Sequence, residues 1–130
     1  MSEDADAEAV ALAHRLLDLA RAGRTDELVA YVDAGVPVDL TDPSGNTLVM
    51  LASYHGHSAT AGALAERGAD VDRANDRGQT PLAGAVFKGE VEVVQVLVGA
   101  GADATAGSPS AIETARFFGR QDLLGLLGVS

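Results

Sequence analysis

Glycines recur at a fixed step of 33 residues along this chain of 130: Gly23, Gly56 and Gly89 form one series, and Gly35, Gly68 and Gly101 another. Other residue types keep the same step. It relates Gly45 to Gly78, Thr47 to Thr80, Ala52 to Ala85 and Leu64 to Leu97. It also relates Val38-Asp39 to Val71-Asp72, and Ala69-Asp70 to Ala102-Asp103. So many matches of differing chemistry at one period mean a repeated structural unit. A unit of this length cannot cover its own apolar side and must stack on its neighbours to do so.

The local signals are the same from unit to unit. Thr80 followed by Pro81 reads as an N-cap hydroxyl, then a residue whose missing N–H costs nothing at the first helical position. A short helix is expected from Pro81 to Lys88, stopped by Gly89 where the chain turns left-handed. A second helix from Val91 to Ala100 places Val93, Val94, Val96 and Leu97 on one apolar face. Gly101 closes it, and Ala102-Asp103 leads into an extended turn.

The run Asn75-Asp76-Arg77-Gly78-Gln79-Thr80-Pro81-Leu82, then Ala85, Lys88-Gly89-Glu90-Val91-Glu92-Val93-Val94, Leu97 and Gly101-Ala102-Asp103, resembles the ankyrin repeat. A second copy is carried by Asp42-Pro43-Ser44-Gly45-Asn46-Thr47, Ala52-Ser53-Tyr54-His55-Gly56-His57 and Arg67-Gly68-Ala69-Asp70-Val71-Asp72. An N-terminal unit keeps Leu19-Ala20-Arg21-Ala22-Gly23 and Ala34-Gly35-Val36-Pro37-Val38-Asp39 without the leading hairpin. A C-terminal unit aligns as Ser110-Ala111-Ile112, Ala115 and Gly119 after a lead-in three residues shorter. The resemblance covers roughly residues 8 to 128. It implies an all-α repeat fold, an ankyrin solenoid of about four stacked helix-turn-helix units with β-hairpin-like loops. Residues 1-130 are then one domain, with an N-cap unit near 8-41, repeats at 42-74 and 75-106, and a C-cap unit at 107-130.

The ends differ from the middle. Leu12, Leu16, Leu17 and Leu19 beside Arg15, Asp18 and Arg21 suit an amphipathic capping helix. Leu123, Leu124, Leu126 and Leu127 lack the polar outer face of a cap, which leaves part of that helix exposed or paired. The family usually has His in a Thr-Pro-Leu-His turn, where its side chain links adjacent loops. Met50 and Ala83 stand there, so the loops are expected to lose that link and be more mobile. The helix Ser58 to Ala65 contains Thr60 and Gly62 and little bulk, and is expected to be the softest segment.

Charge narrows the function. There are 19 acidic against 9 basic residues, and Met1 to Asp42 supplies minus seven of the net minus ten. Nucleic acid would be repelled, since its binding needs basic side chains to neutralise phosphates. The acidity is read first as solubility and second as steering towards a basic partner surface. No cysteine is present, so disulfides and thiolate metal sites are absent, as suits a reducing compartment. The N-terminus is acidic where a signal peptide would be basic, and no run of ~18 apolar residues exists. A cytoplasmic protein without a membrane segment is expected. Richness in Ala, Gly, Val, Asp and Arg with a single Lys resembles a high-GC bacterial proteome.

Catalysis requires a nucleophile or base beside an orienting partner, or a metal. The histidines are His14, His55 and His57. His57 takes the Gly-His position that the family uses structurally, and His14 reads as a cap or surface residue near a helix start. His55 and His57 could pair on a metal with a nearby carboxylate, but without cysteine and without a family precedent that reading is set aside. Asp70-Val71-Asp72 lacks the acid spacing and closing Glu of a calcium loop and reads as a turn. No catalytic set, metal site or cofactor is expected, and the chain is read as a non-enzyme.

The resemblance implies binding by the hairpin tips and by the two inner-helix residues before each Gly stop, on the concave side. Those helix positions are Arg21-Ala22, Tyr54-His55, Phe87-Lys88 and Phe117-Phe118. Four of the five aromatics of the chain stand there; the fifth, Tyr31, aligns with the core positions Leu64 and Leu97. Rigid aromatics bury large area at low entropy cost, so such a row suits an interface centre; the competing reading is repeat-to-repeat packing. The tips add Pro43, Ser44 and Asn46, then Asp76, Arg77 and Gln79. The expected function is a non-catalytic module that binds one protein partner, as a monomer or weak homodimer. The alternative is an acidic immunity or inhibitor protein that neutralises a basic enzyme or toxin, and behind it a small-ligand or metal carrier.

Overall fold

The computed structural model of the chain describes residues 2–129, with side chains from Asp4 onwards. Three hydroxyl residues start three of its helices. Thr47 accepts the Met50 N–H ahead of Leu48–Tyr54, Thr80 that of Ala83 ahead of Pro81–Lys88, and Ser110 that of Glu113 ahead of Ala111–Phe117, each at 3.1 Å. Ser110 and Glu113 form a full capping box, since the Glu113 carboxylate accepts the Ser110 N–H at 2.9 Å. One such cap stabilises its helix by about 1 kcal/mol.

In chain order the helices are α1 (Ser2–Ala22), α2 (Thr25–Asp33), α3 (Leu48–Tyr54), α4 (Ser58–Glu66), α5 (Pro81–Lys88), α6 (Val91–Gly99), α7 (Ala111–Phe117) and α8 (Gln121–Leu126). Each odd-numbered helix packs on the even one that follows it. The odd helices also stack on one another, α1 on α3 on α5 on α7, and the even ones form a second layer beside them. Among the described residues there is no strand; the hairpin-like loops reduce to isolated bridges of Thr41 with Thr47 and of Gly107 with Ser110. Between the layers Leu16, Leu28, Leu48, Leu64, Leu82, Leu97 and Leu123 are fully buried in one continuous strip. Burial of each contributes about 1.5–3 kcal/mol. The stack is an all-α repeat solenoid.

The turns between paired helices share one device. Gly23 closes α1 with φ +70°, and a Cβ there would stand 2.5 Å from the His57 ring. That ring reaches back from the next unit so that Nε2 donates to the Arg21 carbonyl at 2.8 Å. Glu90 lies over Gly56 in the same way. His57 is thus a structural link between units, as the family position implied.

Several expectations change on contact with the structure. Helix α1 begins at Ser2, well ahead of residue 8, so His14 is an exposed mid-helix residue and not near a helix start. The loops that lack the family's His are linked by other groups: Asn75 Nδ2 donates to Asn46 Oδ1 at 2.8 Å, and the Asp76 N–H donates to the Ser44 carbonyl at 3.0 Å. The small residues of α4 are complementary to their neighbours. Thr60 is buried and shares a 2.7 Å hydrogen bond with Thr25, and a Cβ on Gly62 would press on Val96 at 3.3 Å. In α8, Leu123 and Leu124 are buried, and Leu126 is half-buried against the core, as is the following Leu127.

Candidate functional site

The residues just before each Gly stop emerge on one face because successive inner helices stack in register. Phe87, in the last turn of α5, lies 5.8 Å from Phe118, centroid to centroid, with the rings edge to face. Phe118 in turn meets Phe117 at 5.0 Å in the same manner. Phe87 is 51% exposed, Phe117 83% and Phe118 49%. Tyr54, at the end of α3, is half-buried; its ring meets His55 edge to face at 5.6 Å and lies under Lys88 Nζ at 5.1 Å. The row therefore bridges neighbouring units and still presents three phenyl rings to solvent.

Two depressions occupy this face and meet at Tyr54, Arg77 and Gln79. The larger, about 670 Å³, lies between α5 and α7, with Tyr54, Ala83, Phe87, Pro109, Phe117 and Phe118 as its apolar lining. Arg77, Gln79, Ser108, Glu113 and Thr114 supply polar groups around it. The smaller, about 300 Å³, is walled by Arg21, Asp42, Ser44, Asn46, His55 and Asn75 over Met50 and Leu51.

Polar groups around the smaller depression hold one another. Asp42 accepts the N–H groups of Ser44 and Asn46, each at 2.9 Å, and the Asn46 side-chain amide at 3.0 Å. Arg21 stands 3.6 Å from Asp42 and 2.9 Å from Asp18. Burial acts to raise the Asp42 carboxyl, but the hydrogen bonds from Asn46 and Ser44 and the Arg21 charge outweigh it and hold the group below the usual carboxylate range. His55 is lowered from the ordinary imidazole value, first by burial and then by His57, Arg21 and Lys88. Neutral imidazole beside cations is the form this corner favours.

Of the expected site residues, Arg21, Tyr54, His55, Ser44, Asn46, Arg77, Gln79, Phe87, Phe117 and Phe118 line the two depressions. Lys88 stands over Tyr54, whereas Pro43 and Asp76 are exposed outside both. Asn46 is engaged within its own loop by Asp42 and Asn75. Sequence reasoning missed Met50, Ala83, Glu113 and Thr114. They lie one turn before Tyr54, Phe87, Phe117 and Phe118 on the same helical face, so an i, i+4 projection of the aromatic row would have found them. Asp42, Asn75, Ser108 and Pro109 come from the loops and carry no such period. Among the described residues no three His, Asp or Glu side chains are grouped to hold a metal ion, and no helix is long and apolar enough to cross a membrane.

Residues 16–107 match the family described as ankyrin repeats in three copies. Over 87 residues, 65% of this chain and 7% of the relative, the sequence is 34% identical to a transient receptor potential cation channel subfamily A member 1 homolog of Caenorhabditis elegans. It is 44% identical to an ankyrin repeat protein of Pseudomonas aeruginosa over 55 residues, 42% of this chain and 32% of that protein. A palmitoyltransferase of Candida glabrata is 38% identical over 68 residues, 52% of this chain and 9% of its own length. The chain thus spans less than a third of each of these relatives.

Proposed function

The chain belongs to the ankyrin-repeat family, whose repeats are generally protein–protein interaction modules, and from that premise we propose that it is a non-catalytic binder of one protein partner. Residues 1-130 act as one repeat domain, and the partner docks on the face formed by the inner-helix ends and the loop tips, concave by family resemblance. The observation that carries this reading is the exposure of Phe87, Phe117 and Phe118 side by side at the mouth of one groove. Rings this exposed leave much of their area uncovered in the free chain and bury it when a partner covers them. Tyr54 and Lys88 extend the row towards α1, and Arg77 and Gln79 form its rim.

Affinity capture compares wild type with a Tyr54→Ala/Phe87→Ala double variant, each first checked for a cooperative melt. Wild type is expected to recover a discrete partner that the variant loses by tenfold or more, as for the removal of about 1.4 kcal/mol of contact energy or more. Equal recovery by both would remove this face from consideration.

A further inference from the structure

The groups around the larger groove differ in sign from the chain as a whole. Its lining contains one cation, Arg77, and one carboxylate, Glu113, and Lys88 stands at its Tyr54 edge. Glu113 is the acid of the capping box: it accepts the Ser110 N–H and sits in the first turn of α7. Thr114 is likewise occupied, its hydroxyl donating to the Ser110 carbonyl at 2.7 Å. Among the described residues the side chains of Arg77 and Lys88 make no ion pair, and Arg77 takes part in hydrogen bonding only through its backbone N–H. With Lys88 at its edge, the groove thus has two cations to one carboxylate, and Glu113 already accepts a backbone N–H through one of its oxygens.

Part of the acidity of the chain lies far from the groove. The described acids ahead of α1's buried part, Asp4, Asp6 and Glu8, lie along an exposed stretch of that helix with Val10 54% exposed. Three helix-to-helix steps separate α1 from α7 in the inner layer. At about 8–10 Å per packed pair, that distance exceeds the ~8 Å screening length at physiological ionic strength. Local charge, not net charge, decides what enters the groove.

We propose that the groove between Phe87, Phe117 and Phe118 docks a short peptide segment of a partner protein in which a large apolar side chain is flanked by Asp or Glu. The apolar side chain fills the space among the phenyl rings, and its neighbouring carboxylates meet Arg77 and Lys88. This rests on the binding reading above and departs from the sequence-based expectation of a basic partner surface.

Random dodecapeptides displayed on phage and selected on the full chain test it, with counter-selection on a Phe87→Ala/Phe117→Ala variant. The expected winners carry an aromatic or branched aliphatic residue within two positions of Asp or Glu. As synthetic peptides they should lose about tenfold in affinity with Arg77→Glu, and less in 0.5 M salt, as for a charge pair at a wet rim. Winners rich in Lys and Arg, or indifferent to Arg77→Glu, overturn the acidic specificity and leave the binding face standing. Winners that bind the double-Phe variant equally well overturn the face itself. Absence of any enrichment over blank support overturns the peptide groove. Sedimentation equilibrium supplies the remaining outcome: a wild-type dimer converted to monomer by Phe117→Ala assigns the groove to a second copy and also overturns the proposal.

Discussion

In the half of the binding face nearest α1, polar side chains hold each other in place. Asp42 gathers two backbone N–H groups, an amide and the Arg21 guanidinium, and the loop it closes is tied to the next one through Asn46 and Asn75. In the half nearest α7, Phe118 meets both Phe87 and Phe117 edge to face, and all three rings face solvent. The contrast separates two kinds of work on one surface. The first half gives up its hydrogen-bonding groups to fix loop geometry and has few left for a partner. The second leaves about half or more of each phenyl ring in solvent, available for burial.

The largest effect expected from pressing on this contrast is at the Gly stops. Gly23→Ala imposes a left-handed conformation on alanine, at about 1–2 kcal/mol, and also drives the Cβ into the His57 ring. With the lost His57 to Arg21 hydrogen bond worth about 1 kcal/mol, the total reaches roughly 2–3 kcal/mol. Gly119 has φ +64° with nothing within 4 Å of a Cβ, so Gly119→Ala should show only the conformational part. Equal losses for the two, by urea denaturation, would mean that the His57 contact carries no energy.

Next in size, Asp42→Ala should cost about 1–2 kcal/mol, since the N–H groups of Ser44 and Asn46 lose a charged acceptor. Phe117→Ala should lie within about 0.5 kcal/mol of wild type. A Phe117 variant as unstable as the Asp42 variant would break the division between the halves. The Asp42 term has a pH signature. Its folded-state value is depressed, so the stabilisation is present above the ordinary carboxylate value and is lost as pH falls through the folded one. Melting temperatures from pH 7 downwards should therefore fall less steeply for Asp42→Ala than for wild type.

The smallest effect is a gain. Ser53 is fully buried in α3, and its hydroxyl is the one buried side-chain polar atom without a hydrogen-bond partner among the described residues; its counterpart one period later is Val86. Replacing it by alanine removes an unsatisfied hydroxyl and should raise stability by up to about 1 kcal/mol. A loss of stability would show that the hydroxyl has a partner in solution.

Much of this was legible in advance. Thr80-Pro81 and Gly89 mark both ends of α5, and the 33-residue step puts the residues before each Gly at equivalent positions of successive units. These signals are local, each needing only the few residues around it, and the period repeated them until they could not be missed. Other features were not legible. The absent family histidine implied unlinked loops, but the link is made by Asn46 and Asn75, far apart in the chain, whose types alone do not announce a pair. Small residues in α4 implied weakness, yet Gly62 is what lets Val96 approach.

The sequence by itself determined the repeat, the helix starts and stops, and the row of aromatics, because backbone chemistry and spacing settle those within each unit. Only the tertiary structure decided which charges are free. Asp42 is held by its own loop and by Arg21, whereas Arg77 makes no ion pair and Lys88 stands over Tyr54, so an acidic chain presents a groove at which cations outnumber carboxylates. The physical reason is that a carboxylate's partners are set by which loops the stacking brings together, and composition counts charges without recording what each one touches.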